Sequence, residues 1–164
     1  MMVFNIFASD LKVTIGSERS LYNKTQVVSV WLRYDNTGKE IIHIFKWCLP
    51  DKELSDPLFQ VTCDNASVDY VGPMIKRRAP TNADVISLAP GKTIQTLVQL
   101  SPAYDMTKSC NYSIQYYRPT ESVIFSDDET LKNTSPDTTS SYESDIKSNI
   151  IQLTIEGRPN TRHQ

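Results

Sequence analysis

The sequence predicts an all-β protein, specifically an antiparallel β-sandwich of immunoglobulin-like or related Greek-key topology. Three observations predict it. Short apolar runs recur about every ten to twenty residues between polar or proline punctuation, and no stretch of roughly a dozen residues sustains a helical period. Two segments alternate cleanly with period two. The chain is rich in Val, Ile, Thr and Tyr and carries nine prolines against five glycines, a composition that suits strands and turns.

Taken in order, "MVFNIFA" and "LKVTIG" open the chain as two candidate strands. "VVSVWLRYDN" sets Val28, Val30, Leu32 and Tyr34 on one face and Ser29, Trp31 and Arg33 on the other, as a half-buried strand requires. "EIIHIFKW", "PLFQVTC", "KTIQTLVQL" and "NYSIQYY" follow, then a strand around "SVIF". In "NIIQLTIEG", Ile151, Leu153 and Ile155 face inward while Gln152, Thr154 and Glu156 face out. Roughly seven to nine short strands exceed one small open sheet, and two packed sheets bury them most economically, with a closed barrel as the alternative. Tyr112, after the turn "YDMTKS", is either the tyrosine of a tyrosine corner or an inward aromatic.

At 164 residues the chain fits one domain with a core of its own. That domain is expected over 1–157, interrupted at 126–146 by an acidic, Ser/Thr-rich insertion with little to bury, and 158–164 is expected to be a flexible tail.

A formal charge of −2 leaves no cationic surplus for a phosphate backbone, so no nucleic-acid partner is expected. No apolar run approaches the roughly 18 residues of a membrane span, and no secretory signal is legible at the start. As written the chain is expected in the cytoplasm; a mature secreted or periplasmic chain given a start methionine would read the same. Cys48, Cys63 and Cys110 are odd in number and widely spaced. They are expected as buried free thiols, or as one bridged pair plus a leftover thiol in an oxidising compartment.

Catalytic chemistry is not legible, so the chain is expected not to be an enzyme and to hold no metal or cofactor. His43 lies in a predicted strand, where a structural role with a satisfied hydrogen bond is expected, and His163 lies in the tail. Neither HExxH, GxSxG nor a phosphate-binding glycine loop occurs. Asp127 and Asp128 fall in the insertion, where nothing fixes their separation.

The stretch "DYVGPMIKRRAPTNADVISLAPGK" is different. Gly72 and Pro73 turn the chain, Lys76, Arg77 and Arg78 gather three cations, Pro80 ends the run, and Pro90 and Gly91 make a second turn. It reads either as a stiff surface loop with solvated charges or as a preorganised segment presenting a basic side chain to a protease cleft.

Across residues 28 to 157, apart from the insertion, the chain resembles the prodomain of deuterolysin-type (aspzincin) zinc metalloendopeptidases, a group that includes the peptidyl-Lys enzymes. Such prodomains carry a Trp followed by a "TPL"-like turn; here Trp47 to Pro50 has Cys48 for the Thr and the Leu and Pro reversed. Phe59 and Val61 fit the next strand; Tyr70, Gly72, Lys76, Arg77 and Pro80 fit "YxGxxxKRxxP". Leu88, Pro90 and Gly91, then Leu100, Ser101, Tyr104 and Asp105, complete the series. The catalytic domain that follows in the proteases has no counterpart in the 164 residues.

The resemblance implies a prodomain-like inhibitor, monomeric when free, that covers the cleft of an aspzincin by substrate mimicry. Lys76 is the first candidate for the docking side chain and Arg77 the second, with Arg78 beside them and Tyr70, Gly72, Pro73 and Pro80 shaping the loop. Two alternatives stay open: the loop motif serves the fold alone, or the chain is an immunoglobulin-like binding or folding-chaperone module with another partner.

Overall fold

The computed structural model describes residues 10–126 and 145–159. The predicted strand "MVFNIFA", Asp127, Asp128, His163, most of the acidic insertion and the end of the tail lie outside the described residues.

Among the described residues eleven strands form an all-β sandwich. One sheet has the order β1 (Leu11–Gly16), β3 (Ser29–Asn36), β9 (Thr93–Gln99), β5 (Lys52–Glu53). The other has the order β2 (Leu21–Tyr22), β11 (Ile146–Ile155), β10 (Cys110–Arg118), β6 (Phe59–Cys63), β7 (Ala66–Ser67). A ribbon of β4 (Ile42–Phe45) and β8 (Val85–Leu88) closes one side. The pairing is antiparallel except at two-residue edges, where β2 runs parallel to β11 and β5 to β9.

The predicted alternation places the core. Val28, Val30, Leu32 and Tyr34 are fully buried and meet Leu153, Ile155, Tyr112, Ile114 and Tyr116 from the facing sheet. Ile151, expected inside, is only half-buried. On β11 the buried parity is even at Ile146 and Ser148 and odd from Leu153 onward. A register shift opposite Gln115 and Tyr117 produces the change, since an extra residue in one strand flips every following side chain. Ser148 fills the gap by accepting the Tyr116 N–H at 2.9 Å.

Two sequence expectations are corrected, and one left open is decided. "VISL" was absorbed into the long loop but forms β8, pairing along β4 from Ile42–Leu88 to Phe45–Val85. "SVIF" forms a short 3₁₀ turn and a single bridge, Ile44 to Ile124, in place of a strand. Of the two cysteine readings, the bridged pair with a leftover thiol holds: Cys63 and Cys110 form a disulfide and Cys48 is a buried free cysteine; Cys63 ends β6 and Cys110 begins the neighbouring β10, which brings residues 47 apart in sequence within bonding range.

His43 Nδ1 lies 2.8 Å from Ser87 Oγ on the partner strand. The Tyr112 hydroxyl donates to the Lys108 carbonyl at 2.5 Å, the backbone tie that defines a tyrosine corner. Arg158, expected to start the flexible tail, is held by its main-chain N–H to the Met106 carbonyl at 3.2 Å and by its guanidinium to the Asn23 and Gln26 carbonyls.

Candidate functional site: a clamped basic loop

Between β7 and β8 the chain crosses the end of the sandwich in an exposed loop, and both its limbs are anchored. On the entry side Tyr70 bridges to Tyr104, with the rings edge-on at 5.4 Å. The Val71 and Gly72 N–H groups both donate to the Ala103 carbonyl, at 2.7 and 3.1 Å. Tyr104 is itself fixed, because its buried hydroxyl accepts the Phe59 N–H at 2.9 Å and donates to the Phe59 carbonyl at 2.8 Å. Burial pushes that phenol above its ordinary range.

The Tyr70 hydroxyl then donates to the Pro73 carbonyl at 2.6 Å, folding the ring back over the turn. Gly72 makes room for it: a Cβ there would stand 2.7 Å from the ring's Cζ.

On the exit side Arg77 turns inward. Its Nη2 donates to Asp56 Oδ2 at 2.7 Å and to Ser55 Oγ at 2.9 Å, and the guanidinium lies 4.3 Å over the Trp47 ring. Trp47 stacks in turn on Phe45 at 4.7 Å. Arg78 makes a two-pronged pair with Asp84, at 2.8 and 3.3 Å. Asp84 also accepts the Thr81 N–H at 2.9 Å, closing a capping box around the 3₁₀ turn Asn82–Asp84. The Arg78 hydrogen bond, joined by that of Thr81, holds the Asp84 carboxyl down at about 2.

Between the clamps the chain is bare. Met74 is 78% exposed, Ile75 51% exposed, and Pro73, Lys76 and Pro80 are exposed too. No main-chain hydrogen bond to another described residue holds residues 74–80. Of the three cations, Arg77 and Arg78 are thus committed to carboxylates within the domain, and Lys76 stands in solvent without an ion pair to any described residue.

The residues that hold the loop from outside it, Trp47, Ser55, Asp56, Ala103 and Tyr104, did not figure as site residues in the sequence. Two of them nevertheless sit at positions of the ordered motifs, and the structure brings Trp47 to Arg77 and Tyr104 to Tyr70. Beside the entry limb a groove of about 260 Å³ runs from Val71 and Tyr104 past Val27 to Arg158. The potential ligand cluster of Cys63, Asp64 and Cys110 has its two sulfurs taken up by the disulfide, so it offers a metal only one carboxylate.

No protein-family model matches the sequence. Over 96 residues the chain is 42% identical to an extracellular protease of Aeromonas hydrophila. The match takes in 58% of this chain and 28% of that protein, so the chain spans well under a third of its relative. The sequence is therefore protease-related, and its relative's extracellular setting is compatible with secretion. Among the described residues no helix is long and apolar enough to cross a membrane.

Proposed function

We propose that this protein is a non-enzymatic, prodomain-like inhibitor of an aspzincin zinc metalloendopeptidase, laying the 73–78 loop across the active-site cleft. The observation that carries the proposal is the arrangement of the loop: an exposed Met74-Ile75-Lys76 apex between two anchored limbs. A segment already held in shape loses little conformational entropy on docking, and a cleft binds extended main chain whose own hydrogen-bonding groups are free.

Lys76 is the side chain that enters an acidic specificity pocket. Arg77 and Arg78 hold the limb that presents it, and Tyr70, Gly72, Pro73 and Pro80 set its course. Zinc belongs to the partner enzyme, and this chain contributes contact area and one positive charge. The relationship to an extracellular protease supports a protease partner, and the Cys63–Cys110 bridge supports a meeting place outside the reducing cytoplasm.

The test is steady-state inhibition of a purified aspzincin and of an unrelated HExxH protease of thermolysin type, with the natural chain and Lys76→Ala. Selective inhibition that falls sharply in the variant is expected. Absence of inhibition by the folded natural chain would overturn the proposal; selective inhibition untouched by the substitution would move the contact to another segment, the groove at Arg158 being next.

A further inference from the structure

The Cys63–Cys110 bridge encloses the whole exposed loop, and each limb of the loop is anchored on the opposite side of its apex. Residues before Lys76, namely Tyr70, Val71 and Gly72, are held by Ala103 and Tyr104, which come after it. Arg77, after Lys76, is held by Trp47, Ser55 and Asp56, which come before it. The sheets are tied across the same point: β3 with β9, β6 with β10 and β4 with β8 all pair a strand before residue 76 with one after it.

We propose that the Lys76–Arg77 peptide bond is a nicking site, and that the nicked protein remains one folded molecule until Cys63–Cys110 is also reduced. The step is simple hydrolysis by an endopeptidase with a basic preference. The Lys76 C–N bond breaks as water gives its hydroxyl to the Lys76 carbonyl carbon and a proton to the Arg77 nitrogen, and the new acid passes its proton to the new amine, leaving a Lys76 carboxylate and an Arg77 ammonium. No redox change is involved. Both new charges form in solvent, where they cost little, because Lys76 is exposed and no main-chain bond of residues 74–80 to another described residue is lost.

Cutting is favoured here over the neighbouring basic residues by accessibility. An endopeptidase must draw the basic side chain into its own pocket; the Arg77 guanidinium is engaged by Asp56 and Trp47 and that of Arg78 by Asp84, while Lys76 is free to enter. Release of the partner would then need two events, the cut and reduction, and a cut alone would leave the inhibitor in place. The retention of partner binding rests on the function proposed above; the site of the cut and the survival of the fold do not.

The experiment is limited digestion of the full chain with trypsin, which cuts after Lys and Arg, followed by peptide mass mapping with and without dithiothreitol and by thermal unfolding of the nicked product. Cuts outside 63–110 separate their fragments without reductant, so the diagnostic product is a piece ending at Lys76 that appears only on reduction. The expected result is that this is the first cut within 63–110, that Lys76→Ala removes it, and that the nicked, oxidised protein keeps a cooperative transition. A first cut within 63–110 at any other residue would overturn the assigned site, and loss of the transition on nicking would overturn the two-part fold. Inhibition of an aspzincin by the nicked, oxidised protein, lost on reduction, is the expected third readout. Loss of inhibition on nicking alone would overturn retention, and failure of the intact chain to inhibit would count against the proposed function while leaving the first two readouts standing.

Discussion

Arg77 lies with its guanidinium carbon 4.3 Å over the ring of Trp47, and the same group donates to Asp56 at 2.7 Å. A cation over an indole and a charge-assisted hydrogen bond, both in a half-buried setting, fix the exit limb of the loop from the inside. Arg77→Ala is expected to lower unfolding stability by about 2 kcal/mol and to weaken inhibition by loosening Lys76's support. Arg77→Lys should recover only part of this, because an ammonium neither stacks as a plane nor donates as a fork. Urea unfolding of the single variants and of Arg77→Ala with Asp56→Ala checks it; a pair that acts as one unit gives losses that do not add.

The entry limb predicts a different signature. Gly72→Ala places a Cβ against Tyr70's ring end, so the hydroxyl end of the ring must move away from the turn. With the ring shifted only at its hydroxyl end and still packed on Tyr104, the cost is mainly the hydroxyl bond to Pro73, about 1 kcal/mol, with little loss of global stability. Hydrogen exchange and inhibition measured side by side should show residues 70–76 loosened and inhibition weakened while the melting temperature scarcely moves. Tyr70→Phe should reproduce the effect, since it removes the same bond.

The disulfide and the free thiol should behave oppositely. Closing a loop of 47 residues' separation is worth about 4 kcal/mol on a chain-entropy account. Reducing the protein, or replacing both Cys63 and Cys110 with Ser, should lower stability by up to that amount. Cys48 is buried, and desolvation pushes its thiol up to about 12. A maleimide at neutral pH should leave it unlabelled in the folded state and label it once urea unfolds the chain.

How much of this was legible beforehand depended on range. The eight residues of β3 announced both strand and face, because the alternation from Val28 to Tyr34 is uninterrupted. The sequence of β11 alternates only in pieces, since its bulge at Ser148 depends on what β10 presents opposite. β8 was hidden because "VISL" sits between two turns and pairs with β4 more than forty residues earlier, Leu88 with Ile42. The basic stretch could be read as a surface loop, whether or not it presents a side chain to a partner, and the exposure of Lys76 agrees with that. That the motif could serve the fold, with Lys76 or Arg77 paired inside the domain, was among the readings, but the partners of Arg77 could not be named, because Asp56 and Trp47 are brought to it only by the folded sheets.

Acid should act on the exit limb through Asp84. Its carboxyl is depressed to about 2, chiefly by the Arg78 hydrogen bond. The folded value lies below the ordinary carboxylate value near 3.9, so the unfolded state binds the proton more readily. The contribution is therefore complete above about pH 4 and lost as pH falls through about 2. Because the Arg78 side chain is solvent-exposed and Asp84 is only half-buried, the effect on global stability is small and is screened by salt. An NMR titration of the Asp84 side chain should show the depressed midpoint, and Arg78→Ala should return it towards the ordinary carboxylate value.

Lys76 and Asn149 supply the contrast that separates docking from folding. Asn149 on β11 accepts the Ile15 N–H at 2.9 Å and donates to the Ile15 carbonyl at 3.0 Å, so one side chain serves both main-chain groups of a buried residue in the other sheet. Asn149→Ala removes both bonds and, since Asn149 itself is exposed and water can reach the freed groups, should cost about 1–2 kcal/mol, with inhibition unchanged at temperatures where the variant is folded. Asn149→Asp keeps the acceptor, loses the donor and should fall between. Lys76→Ala should do the reverse: its side chain is in solvent and makes no ion pair with a described residue, so unfolding stability stays within about 0.5 kcal/mol while inhibition is lost. If Lys76→Ala destabilised the chain as Asn149→Ala does, the basic loop would be serving the sandwich alone, and the inhibitory contact would have to lie elsewhere on the molecule.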